Sequence, residues 1–100
     1  MEKLKFSWDP EKEKQNKKKH GISFIEASWV FYDPNAVYMD DKEHSEDEER
    51  FYIIGKSNNK RLLLVCHCYR DDESVIRIIS ARKVTTAKER NLYYGSGGKQ

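Results

Sequence analysis

Apolar residues recur along this chain in distinct rhythms, and each rhythm predicts a different element. Leu4, Phe6 and Trp8 alternate with Lys5 and Ser7, the period of two that marks a first strand, "LKFSW". The run "DPEKEKQNKKKHG" (9–21) has no large apolar residue, yet it carries the punctuation of a helix: Asp9 at the N-cap, Pro10 at the first helical position, Gly21 past the end. Lacking an apolar stripe, this helix must lie on the surface or across a groove. "SFIEASWVF" (23–31) predicts a second helix, apolar nearly all round and so largely buried, opened by a capping box of Ser23 and Glu26. Asp33–Pro34 ends it.

Four strands follow in quick succession. "AVYM" (36–39) is one, and the acidic run "DDKEHSEDEE" (40–49) connects it onward as a loop or extended hairpin connection. "RFYIIGKS" (50–57) passes through the turn pair Asn58–Asn59 into "RLLLVCHCY" (61–69), and "RDDE" (70–73) turns the chain into "SVIRIISARK" (74–83). Connections this short demand antiparallel neighbours. Thr86 and Glu89 cap a C-terminal helix, "AKERNLYY" (87–94), and "GSGGKQ" (95–100) reads as a flexible tail. The predicted order is β-α-α-β-β-β-β-α: an α+β fold with a mostly antiparallel sheet of about five strands, two N-terminal helices and one C-terminal helix, in a single domain over 1–94.

At 100 residues, 37% hydrophobic and 36% charged, the chain has material for one core and a heavily charged surface. Its net charge of +2 conceals a segregation. Residues 1–21 hold seven Lys against four acids, 33–50 hold eight acids against two bases, and 51–100 hold ten bases against four acids. Such a chain can draw an anion to one face and repel it from another. The two cysteines, Cys66 and Cys68, stand side by side on one strand face, a poor geometry for a disulfide. Nor does Cys66-His67-Cys68 make a zinc site: neighbours on a strand face opposite ways, and no second Cys/His cluster completes four ligands. No metal or other cofactor is expected. No stretch reads as a signal peptide or as a span of ~20 apolar residues, so a cytoplasmic setting without a membrane is expected.

One residue breaks the best strand. Arg77 interrupts Val75, Ile76, Ile78 and Ile79 with a guanidinium that can hardly lose its charge. Strict alternation puts it on the face of Val75, Ile79, Ala81 and Lys83, opposite Ile76, Ile78, Ser80 and Arg82. A five-residue hairpin connection would set His67 beside it and a four-residue one Cys66; the first is preferred, because it groups His67, Tyr69 and Arg77 in one polar patch. A buried Arg without partners is costly, so Arg77 either meets a carboxylate, with Glu89 or the Glu48–Glu49 pair available, or faces a cleft that receives an anion.

The segments W-D-P (8–10), N-x-x-K-H-G (16–21), F-x-x-A (24–27), E-E-R (48–50) and R-I-I-S-A-R-K (77–83), in this order and spacing, resemble the signatures of the BrnT toxins of bacterial type II toxin–antitoxin modules. The likeness runs from about Phe6 to Tyr94. It implies a RelE-like fold and a ribonuclease that inhibits translation by cutting RNA. It also implies neutralisation by a BrnA antitoxin in complexes of two toxins with two antitoxins. That partner has a ribbon-helix-helix part, so operator DNA would be bound only through the antitoxin. The Cys66-His67-Cys68 stretch and the Gly-rich tail depart from the pattern without touching a signature.

RNA cleavage without a metal needs a base for the 2′-hydroxyl, cations for the charged phosphorane and an acid for the leaving oxygen. Arg77 and Arg82 are the clamp candidates, with Arg50 next, because a guanidinium forks onto phosphate. Alternation puts Arg77 and Arg82 on opposite faces, so both can serve one phosphate only if the strand bulges near Ser80–Ala81. His20 and His67 are the candidates for moving the proton, since imidazole titrates near neutrality; Lys or Tyr could substitute. His20 as a helix cap and His67 as packed strand residue are the structural alternatives. Lys12, Lys17, Lys18, Lys19 and Lys83 suit contacts to the RNA backbone, and Tyr69, Tyr52 or Trp8 could stack a base. Two other functions fit the same residues: a non-catalytic module that binds nucleic acid or protein, and a structural subunit in which Arg77 is salt-bridged and inert.

Overall fold

Asp9 accepts a hydrogen bond from the N–H of Glu11, and Gly21 takes the left-handed conformation (φ 72°) that closes the helix between them. The computed structural model describes residues 3–44 and 48–96. Its elements run β1 (Phe6–Ser7), α1 (Pro10–His20), α2 (Phe24–Ser28), a 3₁₀ turn (Trp29–Tyr32), β2 (Val37–Asp40), β3 (Phe51–Lys56), β4 (Leu62–Arg70), β5 (Val75–Lys83) and α3 (Ala87–Ser96). The order is the predicted one. Gly95 and Ser96, expected in the tail, belong to α3; residues 97–100 and the middle of the acidic run, 45–47, lie outside the described residues.

The second helix departs from expectation. It is α-helical for only five residues before tightening at Trp29. Ser23 caps the N–H of Glu26 as a capping box requires, but the Glu26 carboxylate does not reach back. It accepts from the Ser57 hydroxyl and the Arg61 guanidinium instead, binding α2 to the β3–β4 turn. This pairing holds the buried carboxyl below the usual carboxylate range, the Arg61 hydrogen bonds contributing most. Nor is the segment buried all round: Phe24, Ala27, Val30 and Phe31 point inward, whereas Ile25 and Trp29 face solvent. Gly55 lets the 3₁₀ turn approach β3, for a Cβ there would sit 2.9 Å from Val30 Cγ1.

The sheet order is β1-β5-β4-β3-β2, with β1 parallel to β5 and every other pair antiparallel. Its helical side carries the main core, in which Leu63, Val65, Ile76, Ile78 and Ala81 meet Ile22, Phe24, Ala27, Val30 and Phe31. The other side is covered at the β3–β2 end, where Ile54 and Leu64 pack on Tyr93 and Leu92 of α3. Near β1 that side is open.

Neither expected register of the β4–β5 hairpin is correct. Cys68 lies opposite Arg77, and Tyr69 opposite Ile76. The turn is displaced by one residue: β4 continues through Arg70, which pairs with Val75, and three successive acids in between, Asp71, Asp72 and Glu73, take left-handed conformations. The sequence holds no glycine there to announce such a turn. The bulge falls at Ile79, just before the position expected: Cys66 pairs with Ser80 and His67 with Ile78, leaving Ile79 without a partner. The extra residue reverses the alternation once, so Arg77 and Arg82 share a face.

Where β1 ends, β5 would present bare backbone. Asn16, buried at the middle of α1, fills the gap. Its amide oxygen accepts from Ala81 N–H (3.1 Å) and its amide nitrogen donates to Ala81 C=O (2.9 Å) and Ile22 C=O (3.0 Å). One side chain thus replaces a missing strand residue and docks a helix that has no apolar stripe. Asn16→Leu should destabilise the chain by about 3 kcal/mol, since three buried backbone groups lose partners. Urea denaturation measures this; a loss below about 1 kcal/mol would show that the amide does not hold the edge.

Candidate active site

On the open side of the sheet, alternation and the bulge bring Arg77 and Arg82 of β5 into line with Cys66, Cys68 and Arg70 of β4 and with Tyr52 of β3. Ser7 of β1 flanks Arg77. Arg50, just before β3, points to the same side, where its positive charge acts on both thiols and on Glu48. The three arginines proposed as a phosphate clamp therefore share one face.

Their surroundings differ. Arg82 is gripped by Glu89 of α3 through two parallel hydrogen bonds (3.2 and 2.6 Å), which hold the carboxyl below its usual range. Arg70 is paired with Glu48. Arg77 forms no ion pair among the described residues; its one hydrogen bond is to the Ser7 hydroxyl, at 3.4 Å. Glu89 and Glu48, two of its expected partners, are committed to Arg82 and Arg70. The half-buried guanidinium lines an open groove of about 590 Å³ with Lys5, Ser7, Arg70, Asp71 and Val75. Two strands away on the same side of the sheet, burial and the neighbouring Asp41 carboxylate push the Tyr52 phenol upward, so it keeps its proton. Burial, then Asp41, pushes the Cys66 thiol to about 11, which leaves it a poor nucleophile.

The remaining predicted residues are elsewhere. His67 is fully buried on the helical side, opposite Arg77, so the expected patch of His67, Tyr69 and Arg77 does not form. The rings of Phe31, Tyr38, Phe51 and Tyr69 surround it, with centroids 4.8 to 6.1 Å away, and its Nε2 lies 3.3 Å from the Tyr69 hydroxyl. Desolvation drives its pKa down to about 4. Tyr69 is a half-buried member of this cage, and Lys83 pairs with Leu63 on the same side of the sheet. His20 ends α1, whose Lys12, Lys17, Lys18 and Lys19 are exposed. Trp8 packs edge-on against Phe24 in the core. Cys66 and Cys68 are buried beneath the cations of the open side rather than in the main core, and His67 points away from both.

Lys5, Ser7 and Arg70 escaped the sequence reading. Alternation within "LKFSW" already separates Lys5 and Ser7 from the core-facing Leu4, Phe6 and Trp8. Only the parallel pairing of β1 with β5 places them beside Arg77.

A three-helix, five-strand layout of this kind is found in the crystal structure of the Brucella abortus ribonuclease toxin BrnT. It superposes with a TM-score of 0.65 at 22% sequence identity, covering 84% of this chain and 100% of that one. The two proteins share a fold. No functionally curated protein matches. The family described as "Ribonuclease toxin, BrnT, of type II toxin-antitoxin system" matches residues 8–89. The chain belongs to the BrnT family of ribonuclease toxins.

The burial of His67 has a measurable consequence. Unfolded, it binds a proton near the ordinary value of 6.5; folded, it resists until about 4. The stability contributed by the neutral ring is complete above pH ~6.5 and is lost as pH falls toward 4, a change of about 3 kcal/mol. His67→Phe should flatten this acid limb in denaturation experiments while leaving RNA cleavage intact. Loss of cleavage in a stably folded variant would return His67 to the mechanism.

Proposed function

We propose that the open side of the sheet grips an RNA backbone and cleaves it without a metal ion. The 2′-hydroxyl gives its proton to a base as its oxygen attacks the adjacent phosphorus, the bond to the 5′-oxygen breaks, and the leaving oxygen takes a proton from an acid, leaving a 2′,3′-cyclic phosphate and a 5′-hydroxyl. Arg77 carries this reading. A half-buried cation in an open groove, bonded only to a hydroxyl among the described residues, is paid for by what it can bind. Its planar fork fits the equatorial oxygens of a phosphorane, whose charge grows in the transition state. Lys5 adds positive potential around it, whereas Arg70 is paired with Glu48 and Asp71 lines the same groove.

Arg82 lies about four strand steps from Arg77 once the bulge is discounted, roughly 13 Å. Held by Glu89, it steadies a neighbouring part of the strand rather than the same phosphate, and Arg50 lies across the same face. The proton must be moved by groups on this side. Tyr52, kept protonated by burial and Asp41, feels the charge of Arg82 and lies outside the Arg77 groove. The lysines of α1 lengthen the contact with RNA through sequence-independent attraction.

Family membership supports the biological setting: inhibition of translation in the cytoplasm and neutralisation by a BrnA-type antitoxin. In that setting two toxins join two antitoxins, and operator DNA is reached only through the antitoxin. A single domain over 1–94 suffices for this role.

Arg77→Ala should lower RNA cleavage by at least 100-fold and abolish growth arrest while the melting temperature stays within a few degrees; Arg77→Lys should fall between, because the fork is lost and the charge kept. Unchanged cleavage in Arg77→Ala would remove this residue from the site, and RNA binding without cleavage by the wild type would favour a non-catalytic module.

Cleavage should also persist at full rate in EDTA. Loss in chelator with recovery on added Mg²⁺ would overturn the metal-free route.

A further inference from the structure

Along α2 and the 3₁₀ turn, Ile25 is 61% exposed and Trp29 46%, and Tyr32 follows with its ring 5.6 Å from that of Trp29. Positions i, i+4 and i+7 form a stripe about two turns long on the side of the element that faces away from the core. Isolated exposed apolar side chains are ordinary, but a row at helical spacing marks a surface that something covers.

Lysines stand at both ends. At the Ile25 end, the Glu13 carboxylate accepts from the N–H of Phe24 (3.0 Å), which brings in the α1 groove of Glu13, Lys14, Lys17 and Lys18. At the other end, the Tyr32 hydroxyl accepts from the N–H of Leu4 (3.2 Å), with Lys3 and Lys5 on either side. Glu13 is occupied by that backbone bond and Glu26 by Arg61, and Glu73 is the one acid lining the groove of Lys3 and Lys5, so lysines outnumber carboxylates at both rims.

We propose that this stripe is the docking surface for the antitoxin, taking a short amphipathic helix whose apolar side lies on Ile25, Trp29 and Tyr32 and whose flanking carboxylates meet the lysines. An aliphatic side chain at the head of the row offers no stacking plane to a nucleobase, which favours protein over RNA. The stripe is separate from the Arg77 groove, but Lys5 borders both regions, so a chain anchored here reaches the groove across β1. The inference rests on the reading that a protein partner neutralises this toxin.

Growth arrest tests it. The wild type and Trp29→Glu are each expressed alone and with the product of the adjacent reading frame. Ile25→Asp serves as a second variant, and melting temperatures confirm folding. Both variants alone should arrest growth like the wild type. The partner should rescue the wild type and fail to rescue the variants, and its co-purification with either variant, in an Arg77→Ala background, should fall at least tenfold. Rescue of both variants would overturn the proposal. Loss of arrest in folded variants would assign the stripe to RNA, and a wild-type dimer that becomes monomeric in both variants would assign it to a second copy of the chain. A wild type that the partner neither rescues nor binds would remove the neutralising partner itself, and the docking surface with it.

Discussion

The alternation of side chains along β5 is broken once, at Ile79, and the division of labour between the two sides of the sheet depends on that break. Ile76 and Ile78 before the bulge and Ala81 after it all enter the main core. Continuous alternation would send Ala81 outward and Arg82 inward, burying a guanidinium among Phe24, Ile22 and Val65 at a cost of several kcal/mol. The extra residue satisfies the core and the charges together. It also sharpens the local twist.

Electrostatics on the open side follow from how the carboxylates are assigned. Glu89 secures Arg82 and Glu48 pairs with Arg70, so these side chains are held in place and partly neutralised. Arg77 meets no carboxylate among the described residues. Because it projects from a strand flanked on both sides by β1 and β4, its position is set by the sheet rather than by a loop. The same economy appears around Glu26: a buried acid with Arg61 and Ser57 fixes α2 against the β3–β4 turn, and so fixes the orientation of the row of exposed Ile25 and Trp29 and half-buried Tyr32.

The histidine that looked like chemistry is fully buried on the helical side of the sheet. Inside a cage of aromatic rings His67 stays neutral, and its edge-to-face contacts join β4 to the 3₁₀ turn and β2. Asn16, the first residue of the N-x-x-K-H-G segment, is the anchor of α1 on β5.

The elements themselves were legible in the residues: caps at Asp9, Ser23 and Thr86, the alternation of the strands and the turn at Asn58–Asn59 depend on local stereochemistry, which a few neighbours suffice to determine. The suspicion attached to Arg77 was legible too, because a fixed charge in an apolar strand conflicts with its own surroundings. What local residues do not contain is register. Whether Cys66, His67 or Cys68 lies opposite Arg77 turns on a left-handed run at Asp71–Glu73 and an unpaired Ile79, both tolerated only because packing across the whole sheet favours them. A shift of one residue exchanges the sides, so only the assembled sheet could place Arg77, Arg82 and Arg50 together and His67 beneath them.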